Sequence, residues 1–183
     1  IQISSRNNRC YIFDVLKLDK TSHVVLFLKK LLENQNIVKI VHDVRMDSDA
    51  LYHCLGIRLH NVHDTQAWDK IIHGREDNLN MTLLRNKCTP NEERDRNVYR
   101  VNNRFWAERP ITQTMIDWAS GDVKCLFDLY DAQMNHVATR GWIRGWKVKS
   151  KCVDASNNRL TLRDKIHQIY QIRTDNVGRF IGT

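Results

Sequence analysis

Residues 39–56 read KIVHDVRMDSDALYHCLG, and the fold turns on how this stretch is parsed. The run NIVKIVHD is short and β-branched, as a central strand requires. From Met46 the apolar spacing becomes that of a helix, closed by Gly56 where a left-handed residue commonly ends one. Asp47, Ala50, Leu51 and Cys54 stand at i, i+3, i+4 and i+7, which puts an aspartate on the inward stripe. Asp49 and His53, at i and i+4, read as an exposed pair on another face.

Working outward, IQISS and CYIFDV form two strands of a hairpin around RNNR, whose asparagines tolerate left-handed backbone. HVVLFLKKLLEN, residues 23–34, has helical periodicity with Val24, Phe27, Leu28 and Leu31 on one stripe. VHDTQAW reads as a strand running into another helix. Strand and helix thus alternate from residue 10 to about 75, the pattern of an α/β layer fold. Asp77 to Arg109 is polar and charged, with NEERDR its most soluble point, and suits short helices and a surface loop. A long helix is expected from about Thr112 to Val137. After Arg140 the pattern decays through RGWIRGWKVKSK into a linker or loosely attached segment, dividing the chain into 1–139 and a basic extension, 140–183.

With 183 residues and 42% hydrophobic content the chain can bury one sizeable core. No apolar run approaches the roughly 20 residues that span a bilayer, and no charged start leads into an apolar signal region, so the expectation is a soluble intracellular protein without a membrane partner. The sequence begins at Ile1 without methionine and reads as a fragment of something longer. Cys10, Cys54, Cys88, Cys125 and Cys152 lie far apart with no C-x-x-C pair, which disfavours a zinc knuckle and favours reduced, mostly buried thiols. The net charge of +8 is uneven: residues 140–183 hold ten Lys/Arg against three Asp/Glu, the first 139 nineteen against eighteen. The asymmetry points to a polyanionic partner, nucleic acid ahead of membrane.

On the long helix, Met115, Trp118, Asp122, Cys125 and Leu129 form a stripe in which Asp122 is the odd member. Two inward carboxylates cost desolvation and repel unless something compensates. A divalent metal such as Mg²⁺ is one answer; the other is that each acid caps a helix or pairs with an Arg or Lys.

HDVRMDSDAL, then LGIRLHNVHDTQAW, WAERPITQTM and WASGD resemble, in order, the second and third motifs of the RNase D-like DEDD exonuclease family, over roughly residues 1–137. The resemblance implies a ribonuclease H-like 3′-5′ exonuclease fold, α/β with a mixed sheet flanked by helices, whose first strand would precede Ile1. It also implies two divalent ions held by four carboxylates, among them Asp47 and Asp122. Asp64 falls at the family's following strand and helix, and Arg109 with Pro110 at the step before the third motif.

Two departures redirect the reading. The family's D-x-E motif would precede IQISS, leaving two aspartates to offset the +4 of two Mg²⁺ ions. Trp118 stands where the family's tyrosine helps place the attacking water, and an indole N–H only donates. NNRCYIFDV and YQIRTDNVGRFIG sharpen the likeness to a degenerate germline branch of the family linked to the piRNA pathway. That likeness implies an RNA-binding adaptor, in the cytoplasm and perinuclear germ granules, with protein partners of the piRNA machinery, possible homodimerisation and a link to meiosis. Asp47, Trp118 and Asp122 would then be relics, with no metal and no cofactor. The alternative is an active exoribonuclease with Mg²⁺ or Mn²⁺ on Asp47 and Asp122. Trp142 and Trp146, interleaved with Arg140, Arg144, Lys147, Lys149 and Lys151, suit single-stranded RNA, cations neutralising phosphates while indoles stack on bases. They equally suit docking of the tail or a dimer contact. A domain that binds an acidic protein partner through the positive tail is a third reading.

Overall fold

The computed structural model describes residues 1–91, 98, 101, 102 and 104–160. The hairpin forms as read: β1 (Gln2–Ser4) runs antiparallel to β2 (Cys10–Ile12), Ile3 opposite Tyr11, with Asn8 left-handed at φ 61° in the turn. β3 (Lys39–Val41) pairs in parallel with β4 (Val62–Asp64), Ile40 opposite His63. A parallel pair needs a crossover, and α2 (Val44–Leu55) supplies it, ending in a left-handed turn at Gly56, φ 68°. The α/β class is as expected, but the two pairs form separate two-stranded sheets, one antiparallel and one parallel, rather than one mixed sheet.

α1 (His23–Leu32) starts at Ser22, whose side chain accepts from the Val25 N–H. It packs through Val25, Leu28 and Leu32 onto Val44, Leu55, Ile57 and Val62. The stripe read from sequence is therefore corrected: Val24 and Phe27 point outward. Seven of its ten residues are apolar, so two overlapping stripes satisfy the same period. Asp49 is likewise corrected from exposed to buried at 2% exposure, with His53 Nε2 at 3.3 Å, because α2 turns Val44, Ser48, Asp49 and Leu55 inward.

α3 (Thr65–His73) and α4 (Leu79–Arg85) follow, then a 3₁₀ turn at Phe105–Ala107; residues 92–97 of the polar stretch lie outside the described residues. The expected long helix is two: α5 (Gln113–Lys124), capped by Thr112, and α6 (Leu126–Ala138), separated at Cys125. There the Cys125 N–H turns back to the Val123 carbonyl, a tighter bond than the helix ladder. Arg109, ahead of α5, binds Asp14 through two 2.6 Å contacts and ties this helix to the end of β2.

The loosely attached segment expected after Arg140 is instead, over Trp142–Asn158, a docked helix, α7. Cys152 joins Trp68, Ile72 and Val137 in a second core cluster, with Val148 packed against it. Gly145 permits the approach: a Cβ there would lie 2.5 Å from the Val137 carbonyl oxygen. The stripe that docks, Gly145, Val148, Cys152 and Ser156, is small and partly polar, so composition conceals it. The run YQIRTDNVGRFIG, residues 170–182, lies outside the described residues.

Candidate nucleic-acid interface and acidic positions

The most densely bonded acid is Asp64, fully buried where β4 meets α3. As N-cap of α3 its Oδ1 accepts from the N–H groups of Gln66 (3.0 Å) and Ala67 (3.2 Å). It also gathers the start of α2, accepting from Asp43 N–H and Val44 N–H, both at 3.1 Å. Arg159, one residue past α7, donates to Asp64 Oδ2 at 3.0 Å and Gln66 Oε1 at 2.8 Å, and pairs with Glu76. The Asp64 N–H donates to Ser156 Oγ (3.1 Å), which donates onward to the Cys152 carbonyl. The reading of inward acids as caps and Arg partners thus describes Asp64. Arg159 carries no local signal, since its partners lie about a hundred positions earlier. The DTQA turn, by contrast, announces the cap.

The inward placement read for Asp47 is corrected: its side chain is exposed on the first turn of α2, although neighbouring protein still strips part of its hydration. Its carboxyl pKa is pushed up to about 6, first by lost hydration and then by the charges of Asp43 and Asp64. Asp122, half-buried on α5, accepts a 3.0 Å hydrogen bond from Asn91 Nδ2 at Oδ1. Asn91 is itself clasped by Asn80, whose Oδ1 takes the Asn91 N–H at 3.0 Å. Trp118 is half-buried, its ring 5.3 Å from that of Phe105. No local pattern marks Asn91, which lies about thirty positions before its acid.

A two-ion centre needs several carboxylates converging on shared cations. Among the described residues, no group of three His, Cys, Asp or Glu side chains gathers around a point that could hold a metal. Asp43 and Asp64, the acids that act on Asp47, are already bound to Arg45 (2.6 Å) and Arg159. The donor set in the described residues does not fit paired divalent ions.

His63 shares the layer beneath α7. Its ring stacks on Trp68 at 3.9 Å and meets the edge of Tyr130 at 4.6 Å. Gln133 donates through Nε2 to the Thr65 carbonyl (2.8 Å), which turns Oε1 toward His63 Nε2 at 2.9 Å. Burial lowers the imidazole pKa to about 4, against the Gln133 hydrogen bond. These two groups slope oppositely with pH. The native state holds an extra proton on Asp47 between about pH 4 and 6, so that contribution to stability is lost as pH rises. Neutral His63 contributes stability that is lost as pH falls from about 6.5 toward 4. Urea unfolding across this range should therefore show Asp47→Asn gaining on wild type as pH rises from about 4 to about 6. A difference constant with pH would contradict the raised pKa of Asp47.

No disulfide joins the five cysteines, and where mostly buried thiols were expected four are half-buried and Cys152 alone is buried. Burial pushes Cys125 up to about 11 and Cys152 up to about 12, which makes both poor nucleophiles at neutral pH.

Of the basic residues read from sequence, Arg140 lies in the turn before α7, and its guanidinium is 2.6 Å from His136 Nε2. Trp142 opens the helix. Arg144, Lys147 and Lys151, at i, i+3 and i+7, share one exposed flank about 10 Å long. Ile143 and Trp146, 66% and 68% exposed, lie on the adjoining flank with Val153. Lys149 is exposed but sits nearest the docked stripe, where its charge helps keep His63 neutral. The structure thus presents one aromatic plane beside a row of cations on a fixed helix. No helix among the described residues is long and apolar enough to cross a membrane.

This fold defines a class. The family model described as 3′-5′ exonuclease matches residues 1–138, and the chain belongs to that family. Among curated proteins it is 32% identical over 125 residues to piRNA biogenesis protein EXD1 of Mus musculus, covering 60% of this chain and 22% of that protein. The chain thus spans about a fifth of the length of that relative. Among solved structures it resembles Trypanosoma brucei RNase D (TM-score 0.61, 25% identity, 68% of this chain and 45% of that one). Brucella melitensis NrnC bound to pGG (TM-score 0.55, 22% identity, 73% of this chain and 61% of that one) supports the fold alone.

Proposed function

We propose that this chain is a catalytically inactive exonuclease-like domain that serves as an RNA-binding adaptor in germline piRNA silencing. The observation that carries the reading is the exposed Trp146 beside Arg144, Lys147 and Lys151 on a helix locked to the core. An indole can stack on an unpaired base while the cations take neighbouring phosphates, an arrangement suited to single-stranded RNA. Inactivity is supported by Asp122 being held by Asn91, by the raised pKa of Asp47, and by Trp118 in the tyrosine's place. The kinship with a piRNA biogenesis protein supports the pathway; a cytoplasmic place in germ granules, protein partners of that machinery and assembly as a homodimer are part of the same proposal.

Fluorescence anisotropy with a labelled single-stranded RNA tests the interface. Three phosphate contacts predict a slope of log affinity against log salt near −2, at roughly 0.7 per contact. A flat salt response, or no binding at low salt, would reject it in favour of a protein partner for the basic helix. A second reading, an active exoribonuclease with Mg²⁺ or Mn²⁺ on Asp47 and Asp122, is favoured by the likeness to RNase D.

A further inference from the structure

Asp122 is held by a clasp of Asn91, Asn80 and Gly121. Asn91 Nδ2 donates to Asp122 Oδ1 at 3.0 Å. The backbone of Asn91 is gripped at both of its polar groups by the Asn80 side chain, which accepts the Asn91 N–H at 3.0 Å and donates to the Asn91 carbonyl at 3.2 Å. Asn80 belongs to α4, which is fixed in turn by the burial of Thr82 and Leu83 and by the pairing of Arg85 with the buried Asp69. On the other side the fit depends on Gly121. A Cβ there would lie 2.7 Å from Asn91 Oδ1, closer than such atoms approach, so a side chain at 121 would push the amide off the carboxylate.

The clasp meets a charge with a neutral group. A half-buried carboxylate is stabilised by donors or by cations, and here an amide N–H stands against Asp122. The carboxylate only accepts, which fixes the amide with its nitrogen toward Asp122 and its oxygen toward Gly121. The spacing is that of a coordination shell. Two oxygens on adjacent corners of an octahedron, each about 2.1 Å from Mg²⁺, stand about 3.0 Å apart. Asn91 Nδ2 and Asp122 Oδ1 are separated by that same edge. What forbids a shared ion is the atom at one end of it, because an amide nitrogen donates and offers no lone pair to a metal. Asn and Asp have the same shape, so one atom separates an amide lock from a pair of metal-ligating oxygens.

We infer that Asn91 is a positioning residue that takes a cation's place at Asp122, and that this one amide keeps divalent ions off the acid. The inference deepens the inactive reading proposed above and rests on it. Its consequence is specific. Asn91→Asp puts an oxygen where Nδ2 stands, and two carboxylates facing each other across that edge repel unless a hard cation bridges them.

Mn²⁺ binding to the full chain, followed by loss of the free-ion EPR signal and by thermal melting, tests this without any reaction. Asn91→Asp is expected to melt below wild type in chelator, to recover as Mn²⁺ is added, and to bind the ion at least about tenfold more tightly than wild type. Adding Asp122→Asn to that variant should remove the gain. In wild type the Asn91 side-chain amide should give a distinct, slowly exchanging pair of NMR signals, and Asp122→Ala or Gly121→Ala should return them to those of a free amide. Equal Mn²⁺ affinity in wild type and Asn91→Asp, or an Asn91 amide that Asp122→Ala leaves unchanged, overturns the inference. Either result can stand beside an RNA that keeps its length, whereas Mn²⁺-dependent shortening of RNA by wild type would overturn the inactive reading and the inference with it.

Discussion

Asp64→Ala is expected to lower the unfolding free energy by about 3–5 kcal/mol, the largest stability loss of any single substitution at the site. Four backbone N–H groups, from Asp43, Val44, Gln66 and Ala67, would lose their acceptor, each orphaned donor costing about 1–3 kcal/mol before relaxation. Arg159 would lose its most buried partner while keeping Glu76 and Gln66. Against a typical domain stability of about 5–15 kcal/mol this removes a large share. Because Asp64 and Arg159 share one network, their effects will not add: Arg159→Ala should cost much less on an Asp64→Ala background than alone. Urea denaturation of the single and double variants checks this. A loss under about 1 kcal/mol for Asp64→Ala would mean that the β4–α3 junction does not hold the domain together.

Reversing Arg144, Lys147 and Lys151 together to Glu should weaken single-stranded RNA binding on the order of 100-fold at low salt and flatten the salt dependence. All three are exposed on one flank of α7, away from the stripe that docks on α3 and α6. Thermal unfolding should therefore stay near wild type, which separates lost contact from lost structure. Trp146→Ala should remove one base stack, about 1–3 kcal/mol, without changing the salt slope. Lys149→Glu, on the side facing His63, should cost RNA affinity less than Lys147→Glu does. Unchanged affinity in the triple variant would remove α7 as the contact surface.

What could be read in advance was local. The RNNR turn, the β-branched strand before residue 42 and the Gly56 stop depend on neighbouring residues, and each lies where its chemistry places it. The orientation of α1 was not legible, because two apolar stripes in ten residues leave the direction to tertiary packing. The break at Cys125 has no Gly or Pro to announce it. The docking of α7 rests on Gly145 meeting a carbonyl and on Arg159 reaching Asp64, contacts set by the assembled fold. Motif spacing singled out Asp47 and Asp122, but it did not foresee that Asp47 is exposed. The Asn91 hydrogen bond that occupies Asp122 required three dimensions.

The most direct measurement is degradation of a 3′-labelled single-stranded RNA in Mg²⁺ and in Mn²⁺, with Asp47→Asn alongside. The RNA is expected to be bound and to keep its length in every lane. Metal-dependent shortening from the 3′ end, abolished by Asp47→Asn, would contradict the account and assign this chain an active exonuclease site.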